Sequence, residues 1–143
     1  MNVERILAAK GAEVVTIQPG ARVEEAVALL AEHRIGALVV SEDGASITGI
    51  VSERDIVREL ATRPDTVLGE PVASIMSSTV RTCTPSDEVD SLMAVMTDQR
   101  IRHVPVVDSG RLAGLVSIGD VVKSRIGELE RDRHELLEYI GAR

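Results

Sequence analysis

Two serine–aspartate pairs stand at the same spacing in this chain, Ser52 with Asp55 and Ser117 with Asp120, each inside a Gly-apolar-Val-Ser-x-x-Asp element that runs from Gly49 to Asp55 and again from Gly114 to Asp120. An aspartate three residues beyond a serine at a strand-to-helix junction lies about one helical turn away and can face the same side. Its carboxylate can accept two hydroxyl hydrogen bonds, as from a ribose diol, while the serine hydroxyl donates or accepts beside it. N-capping alone explains the serines but does not by itself ask for an aspartate at that separation. A duplicated hydroxyl-plus-carboxylate unit predicts two related ligand sites and not one catalytic centre. Gly49 and Gly114 either relieve crowding at the entry to the strand or let a ring approach the backbone.

The other reactive side chains form no second constellation. Cys83 is the only cysteine, so no internal disulfide is possible, and with three scattered histidines it makes no metal spacing. Its place in Val80-Arg81-Thr82-Cys83-Thr84 predicts a half-buried structural thiol. No nucleophile sits beside an evident base, and no P-loop pattern occurs. The expectation is therefore a protein that is not an enzyme, with no catalytic residues and no metal. Sixteen basic against 23 acidic residues leave a net charge of -7, which repels a phosphate backbone at long range, and 1% aromatic content removes the stacking platforms of single-strand binders. Nucleic acid is excluded as a partner on that ground. The absence of a charged leader and of an apolar run approaching roughly 18 residues predicts a soluble cytoplasmic protein with no membrane role.

The elements that position the pairs also repeat. Laying residue 16 on 82 matches Thr16 with Thr82, Pro19 with Pro85, Val23 with Val89, Arg34-Ile35 with Arg100-Ile101, Val40 with Val106 and Gly44 with Gly110; one extra residue in the first copy's turn then brings Gly49 onto Gly114 and Asp55 onto Asp120. Strands are predicted over Val14 to Ile17 and Val80 to Thr84, Ala37 to Val40 and Val104 to Val107, and Ile47 to Val51 and Leu112 to Val116. Between them, Val23, Ala26, Val27 and Leu30 share a helical face, as do Val89, Leu92, Met93 and Met96, and further helices start near Glu53 and Ile118. Pro105 cannot donate to a ladder, so its amide position falls at an edge or beside a ligand. Arg34 and Arg100 fit helix-end caps, and Val3, Ile6 and Leu7 have the spacing of Val72, Ile75 and Met76.

The fold predicted is α/β (α+β): two β-α-β-β-α repeats related by a pseudo-twofold axis across a shared core. The first repeat covers residues 8–64, a connection 65–71, the second repeat 72–127, and a C-terminal helical extension 128–143. In that extension Val122, Ile126, Leu129, Arg133, Leu136 and Ile140 follow a 4-3-4-3-4 spacing, which suits either a seam with another helix, as in a dimer, or packing on the protein's own body.

The ordered duplication closely resembles the tandem CBS-domain family. The resemblance rests on Thr16-x-x-Pro19, Arg34 to Val40 and Gly49 to Asp55, then on Thr82-x-x-Pro85, His103-Val104-Pro105-Val106-Val107-Asp108 and Gly114 to Asp120, and it covers roughly residues 3 to 125. It implies a Bateman module, a noncatalytic regulatory unit with two clefts for an adenine nucleotide (AMP, ADP or ATP, ahead of NAD species or S-adenosylmethionine). In proteins it resembles, the residues matching Asp55 and Asp120 hold ribose hydroxyls with Ser52 and Ser117 beside them. Those matching Thr16, Ile17, Ala37, Leu38, Thr82, Cys83, His103 and Val104 line the base pockets, next to Pro105. Basic residues at the places of Arg102 and His103 reach phosphates there. Arg54 lies beside Asp55 where Gly119 lies beside Asp120, and Arg102 and His103 stand where the first copy has Gly36 and Ala37, so the second repeat is the expected phosphate site. The resemblance also implies a homodimer, with the C-terminal helix strengthening it or contacting a target protein. The alternative is a constitutive interaction or dimerisation adaptor with vestigial pockets.

Overall fold

Helix α1 (Val3–Lys10) opens the computed structural model, which describes residues 1–141. Asn2 caps it by accepting from the Arg5 N–H at 3.2 Å, and Glu4 and Lys10 sit at the ends where the helix dipole favours their charges. The first half follows as β1 (Thr16–Ile17), α2 (Val23–His33), β2 (Ala37–Val40), β3 (Gly49–Ser52) and α3 (Glu53–Thr62). β1 pairs parallel with β2, and β2 antiparallel with β3, Ala37 facing Ser52. The second half repeats this with α4 (Val89–Gln99), β4 (His103–Asp108), β5 (Arg111–Ser117) and α5 (Ile118–Gly141). β4 and β5 form a hairpin in which His103 faces Ser117. Its two-residue turn, Ser109-Gly110, has both φ angles positive, the geometry that matches strand twist.

The fold class and both helix starts, Glu53 and Ile118, are those read from the repeat. Three local expectations give way. The strand expected over Val80 to Thr84 reduces to a single parallel bridge from Cys83 to Val106. The Cys83 N–H donates to the Pro105 carbonyl at 3.0 Å and the Val107 N–H to the Cys83 carbonyl at 2.8 Å, but Pro105 has no N–H with which to continue the ladder toward Arg81. The segment matched to α1 forms only a 3-10 turn, Val72–Ser74, following the N-cap Pro71. Val27, placed on the buried face of α2, is exposed while Val23, Ala26 and Leu30 are buried.

The core is the larger correction. The halves do not share one core; they form two. Ile17, Val23, Ala26, Leu30, Leu38, Val40, Val51 and Ile56 cluster with Val67 and Val72, and Cys83, Val89, Leu92, Met96, Val104, Val106, Val116 and Val121 cluster with Val3, Ile6 and Leu7. Each core is thus closed by the segment that precedes the other repeat in sequence. Gly49 and Gly114 make this exchange possible: a Cβ on Gly49 would lie 2.7 Å from Met76 Sδ and from the Ser77 carbonyl, and one on Gly114 2.7 Å from Leu7 Cδ2. The crowding these glycines relieve comes from the exchanged segments.

α5 outgrows its counterpart. Only Val121 is fully buried along its 24 residues, and every residue from Leu129 to Gly141 is exposed, so among the described residues that stretch does not pack on the protein's own body.

Candidate nucleotide clefts

Each serine–aspartate pair is a reciprocal cap. The Asp55 N–H donates to Ser52 Oγ at 3.2 Å, and Asp55 Oδ2 accepts from the Ser52 N–H at 2.9 Å and from its hydroxyl at 3.0 Å. The second copy repeats this, with the Asp120 N–H on Ser117 Oγ at 3.2 Å and the Ser117 N–H on Asp120 Oδ2 at 2.8 Å. A capping box therefore accounts for the aspartate as well as the serine, contrary to the sequence reading that capping needs only the serine. Oδ2 is committed to the cap, and Oδ1 leaves each carboxylate further capacity to accept.

Because Ala37 pairs with Ser52 and His103 with Ser117, each cap sits beside the first residue of its partner strand. Arg34 and Arg100 end the preceding helices in the left-handed conformation, both at φ 54°, and so turn the chain into those strands, as the helix-end reading expected. Two recesses result. The first, about 300 Å³, lies between Ser52-Glu53-Arg54-Asp55 with Arg58 and the opposite half's Arg100-Ile101-Arg102-His103. The second, about 410 Å³, lies between Ser117-Ile118-Gly119-Asp120 with Lys10 and the opposite half's Arg34-Ile35-Gly36-Ala37. Both are within the size range of small-molecule sites.

Of the residues singled out in the sequence, Ala37, Ser52, Arg54, Asp55, Arg102, His103, Ser117 and Asp120 line these recesses. Thr16, Ile17, Leu38, Thr82, Cys83, Val104 and Pro105 line neither. Ile17, Leu38, Cys83 and Val104 are core residues, Pro105 is buried, Thr16 is half-buried and Thr82 exposed. Burial, with Asp87 nearby, pushes the Cys83 thiol up to about 11, in keeping with a structural role.

The charge is distributed differently from the expectation. Arg102 and His103 line both recesses and do not mark the second repeat's site alone. The first recess gathers Arg54, Arg58, Arg100 and Arg102 against Glu53 and Asp55; the second holds Lys10, Arg34 and Arg102 against Glu53 and Asp120. The richer set of fixed guanidinium donors is therefore in the first. Burial and the Arg102 charge hold the His103 imidazole below its ordinary pKa, so it is neutral at pH 7. Burial acts to raise the Asp120 carboxyl, but hydrogen bonds from Lys10 and Ser117 outweigh it and hold that carboxyl below the usual range.

A model of the CBS domain matches residues 8–62 and 72–127. The chain belongs to the CBS-domain family. It carries two of these non-catalytic regulatory modules as a tandem, or Bateman, pair. It is 37% identical over 122 residues to the CBS domain-containing protein CBSX3, mitochondrial, of Arabidopsis thaliana, covering 82% of this chain but only 59% of the plant protein. Among solved structures, a CBS-domain protein of Agrobacterium tumefaciens superposes at a TM-score of 0.84 with 42% identity, covering 87% of this chain and 99% of that one. A CBS protein of Pyrobaculum aerophilum complexed with AMP superposes at 0.75 with 32% identity, covering 84% and 89%. The CBS domain pair of protein MJ0100, in complex with 5-methylthioadenosine and S-adenosyl-L-methionine, superposes at 0.77 with 27% identity, covering 86% and 98%. Adenosyl ligands are thus bound by related CBS pairs. Among the described residues of this pair, no helix is long and apolar enough to cross a membrane.

The sequence reading missed two basic cleft residues, Arg58 and, more firmly held, Lys10. Its ammonium donates to Asp120 Oδ2 at 2.6 Å and to the Leu115 carbonyl at 2.8 Å. Leu115 corresponds to Ile50 of the first CBS repeat, whose edge is satisfied differently: Ile50 and Ser77 exchange two backbone hydrogen bonds of 2.9 Å. The lysine therefore meets at β5 the carbonyl that the Ser77 N–H meets at β3. In the sequence Lys10 is a basic residue in the last turn of a helix, a place the helix dipole already explains, so it carried no signal of its own.

Proposed function

We propose that this CBS pair is a regulatory module that binds an adenine nucleotide in one or both clefts and converts occupancy into a change in the arrangement of its halves or of a dimer. The observation that carries this reading is the pair of recesses related by the repeat, each with the aspartate of a Ser/Asp cap on one wall and basic side chains of the opposite half on the other. Asp55 and Asp120 accept ribose hydroxyls through the carboxylate capacity their caps leave free. Arg54, Arg58, Arg100 and Arg102 meet phosphates in the first cleft, and Lys10, Arg34 and Arg102 in the second. Ala37 and His103 stand at the base, backed by the buried Leu38, Val104 and Pro105 that follow them in β2 and β4. AMP, ADP and ATP fit this charge better than S-adenosylmethionine, whose sulfonium the guanidiniums repel.

Binding alone only stabilises the fold; regulation needs a ligand that prefers one arrangement over another. Each cleft is built from both halves, so a nucleotide that bridges the walls favours the closed relation between them. The working unit is a homodimer in which exposed Val57 and Val122, at matching positions of α3 and α5, are covered.

Titration calorimetry with AMP, ADP and ATP on the purified protein tests the reading. Saturable binding is expected, weakened at least about tenfold by Asp55→Ala or Asp120→Ala, roughly 1.4 kcal/mol or more. Circular dichroism confirms that each variant is folded, since loss of a cap also costs about 1 kcal/mol of stability. An adaptor with vestigial pockets is the competing reading, favoured by the exposed face of α5, and heat-free titrations with every nucleotide would establish it in place of the sensor.

A further inference from the structure

We propose that α5 forms a parallel two-stranded seam with a second copy of this chain, with Arg133 as its one polar layer. The inference rests on the homodimer reading above and adds which helices meet and in which direction.

The spacing assigns the layers. With Val122, Leu129 and Leu136 at the d positions of a heptad, Ile126, Arg133 and Ile140 fall at a. Isoleucine at a with leucine at d favours two strands over three or four, and one polar a residue sets register at some cost in stability. Ile126, Leu129, Leu136 and Ile140 are 51%, 54%, 59% and 58% exposed on a helix of one continuous run, so among the described residues the stripe is a face turned to solvent. From Val122 to Ile140 it extends about 27 Å at ~1.5 Å per residue.

Charge decides the direction. An antiparallel pairing that keeps every layer apolar or mixed, Ile126 against Leu136 and Leu129 against Arg133, brings Glu130 against Glu130 and Asp132 against Asp132 across the seam. The parallel pairing removes both like-charge contacts. Glu130, at e, then faces Arg125 of the other copy at g, and Arg133 at a lies beside Asp132 of the other copy at the preceding g. The two Arg133 guanidiniums share a layer, and their length lets them leave it to reach those aspartates. The parallel direction also sets the two folded bodies side by side, where Val122 becomes part of one continuous contact. The antiparallel direction would hold the bodies at opposite ends of the helices.

Light scattering together with disulfide trapping tests this on the full chain. The unmodified protein supplies the uncrosslinked baseline, because Cys83 is buried in the second core. A dimer is expected by light scattering. Leu136→Cys alone is expected to become a covalent dimer under mild oxidation, since a parallel seam sets each position opposite itself. Mixing Ile126→Cys with Leu136→Cys is expected to give no excess of the mixed species. Leu136→Asp is expected to weaken the dimer at least tenfold with an unchanged circular dichroism spectrum, because this exposed position contributes to neither core. A predominant Ile126–Leu136 crosslink would reverse the direction and overturn the proposal. A dimer indifferent to both changes at Leu136 would overturn the seam while leaving the homodimer reading intact, and a monomeric native protein would remove both.

Discussion

His103 fills the space beside Gly36 of the other half. A Cβ on Gly36 would lie 3.2 Å from both Cε1 and Nε2 of the imidazole and 3.4 Å from Glu53 Oε1, so the residue that stands in the first repeat where Arg102 stands in the second is small because the other repeat's histidine fills its space. The sequence displays the asymmetry between Gly36-Ala37 and Arg102-His103; that the two places meet is a fact of the folded chain. The consequence is pH dependence. Burial and Arg102 depress the His103 pKa below its unfolded value of 6.5, while Glu53 and Asp120 oppose them and Lys10 adds to them. The folded state therefore binds fewer protons, and the stability this contributes is present above the unfolded pKa and declines as pH falls below it. Urea unfolding at pH 7.5 and pH 5 is expected to show a loss of stability at the lower pH that His103→Gln reduces. A phosphate bound on Arg102 offsets the charge that helps depress His103, so nucleotide affinity is expected to rise over the same descent in pH, and to rise less in the variant.

At the scale of elements, the exchange of α1 and the Val67–Ser74 segment between the halves depends on bare backbone at two points of the sheets. The repeat made Gly49 and Gly114 conspicuous, and it also paired Val3, Ile6 and Leu7 with Val72, Ile75 and Met76. Nothing in one-dimensional spacing says which core a helix closes, because the spacing records an apolar face and not the surface that face meets. Gly114→Ala is expected to force Leu7 aside and to destabilise the fold by about 1–3 kcal/mol, the usual cost of overpacking, as measured by urea denaturation. Gly119→Ala is the control: its Cβ would meet nothing closer than Ser117 Oγ at 3.6 Å, and the change is expected to be neutral or stabilising by up to about 1 kcal/mol. Equal losses in the two variants would refer the effect to glycine chemistry in general and not to the contact with α1.

For the whole molecule, the decisive arrangement is that Gly36, Ala37, Glu53, Arg102 and His103 belong to both recesses. One guanidinium cannot give its best geometry to two phosphate groups at once, and two polyanions on either side of it repel. Once a nucleotide is bound in one cleft, the second is expected to bind about 5- to 150-fold more weakly, the ordinary span of coupling between sites. Calorimetric titration with ADP should resolve the two steps, and Arg102→Ala should lower the first affinity while bringing the steps together. Two equal, independent sites in the unmodified protein would show that the shared wall does not couple them. Coupling through the dimer is a separate matter, read from the same titration repeated on Leu136→Asp.

Length, apolar periodicity and the ordered repeat were enough to reveal the α/β class, both helix starts, the repeated Ser–Asp spacing and the apolar stripe of α5, because each of these is a local pattern read within one turn of helix or one run of strand. Tertiary structure decided what lies far apart in the chain. It placed α1 on the second core, set Lys10 on Asp120 across 110 positions, cut the opening strand of the second half to one bridge at Pro105, and gave Arg102 and His103 to both clefts instead of one. The physical reason is common to all four. A repeat predicts that two halves resemble each other, whereas packing decides which surface of one faces which surface of the other, and that choice turns on steric room and hydrogen-bond capacity contributed by residues with no shared sequence neighbourhood.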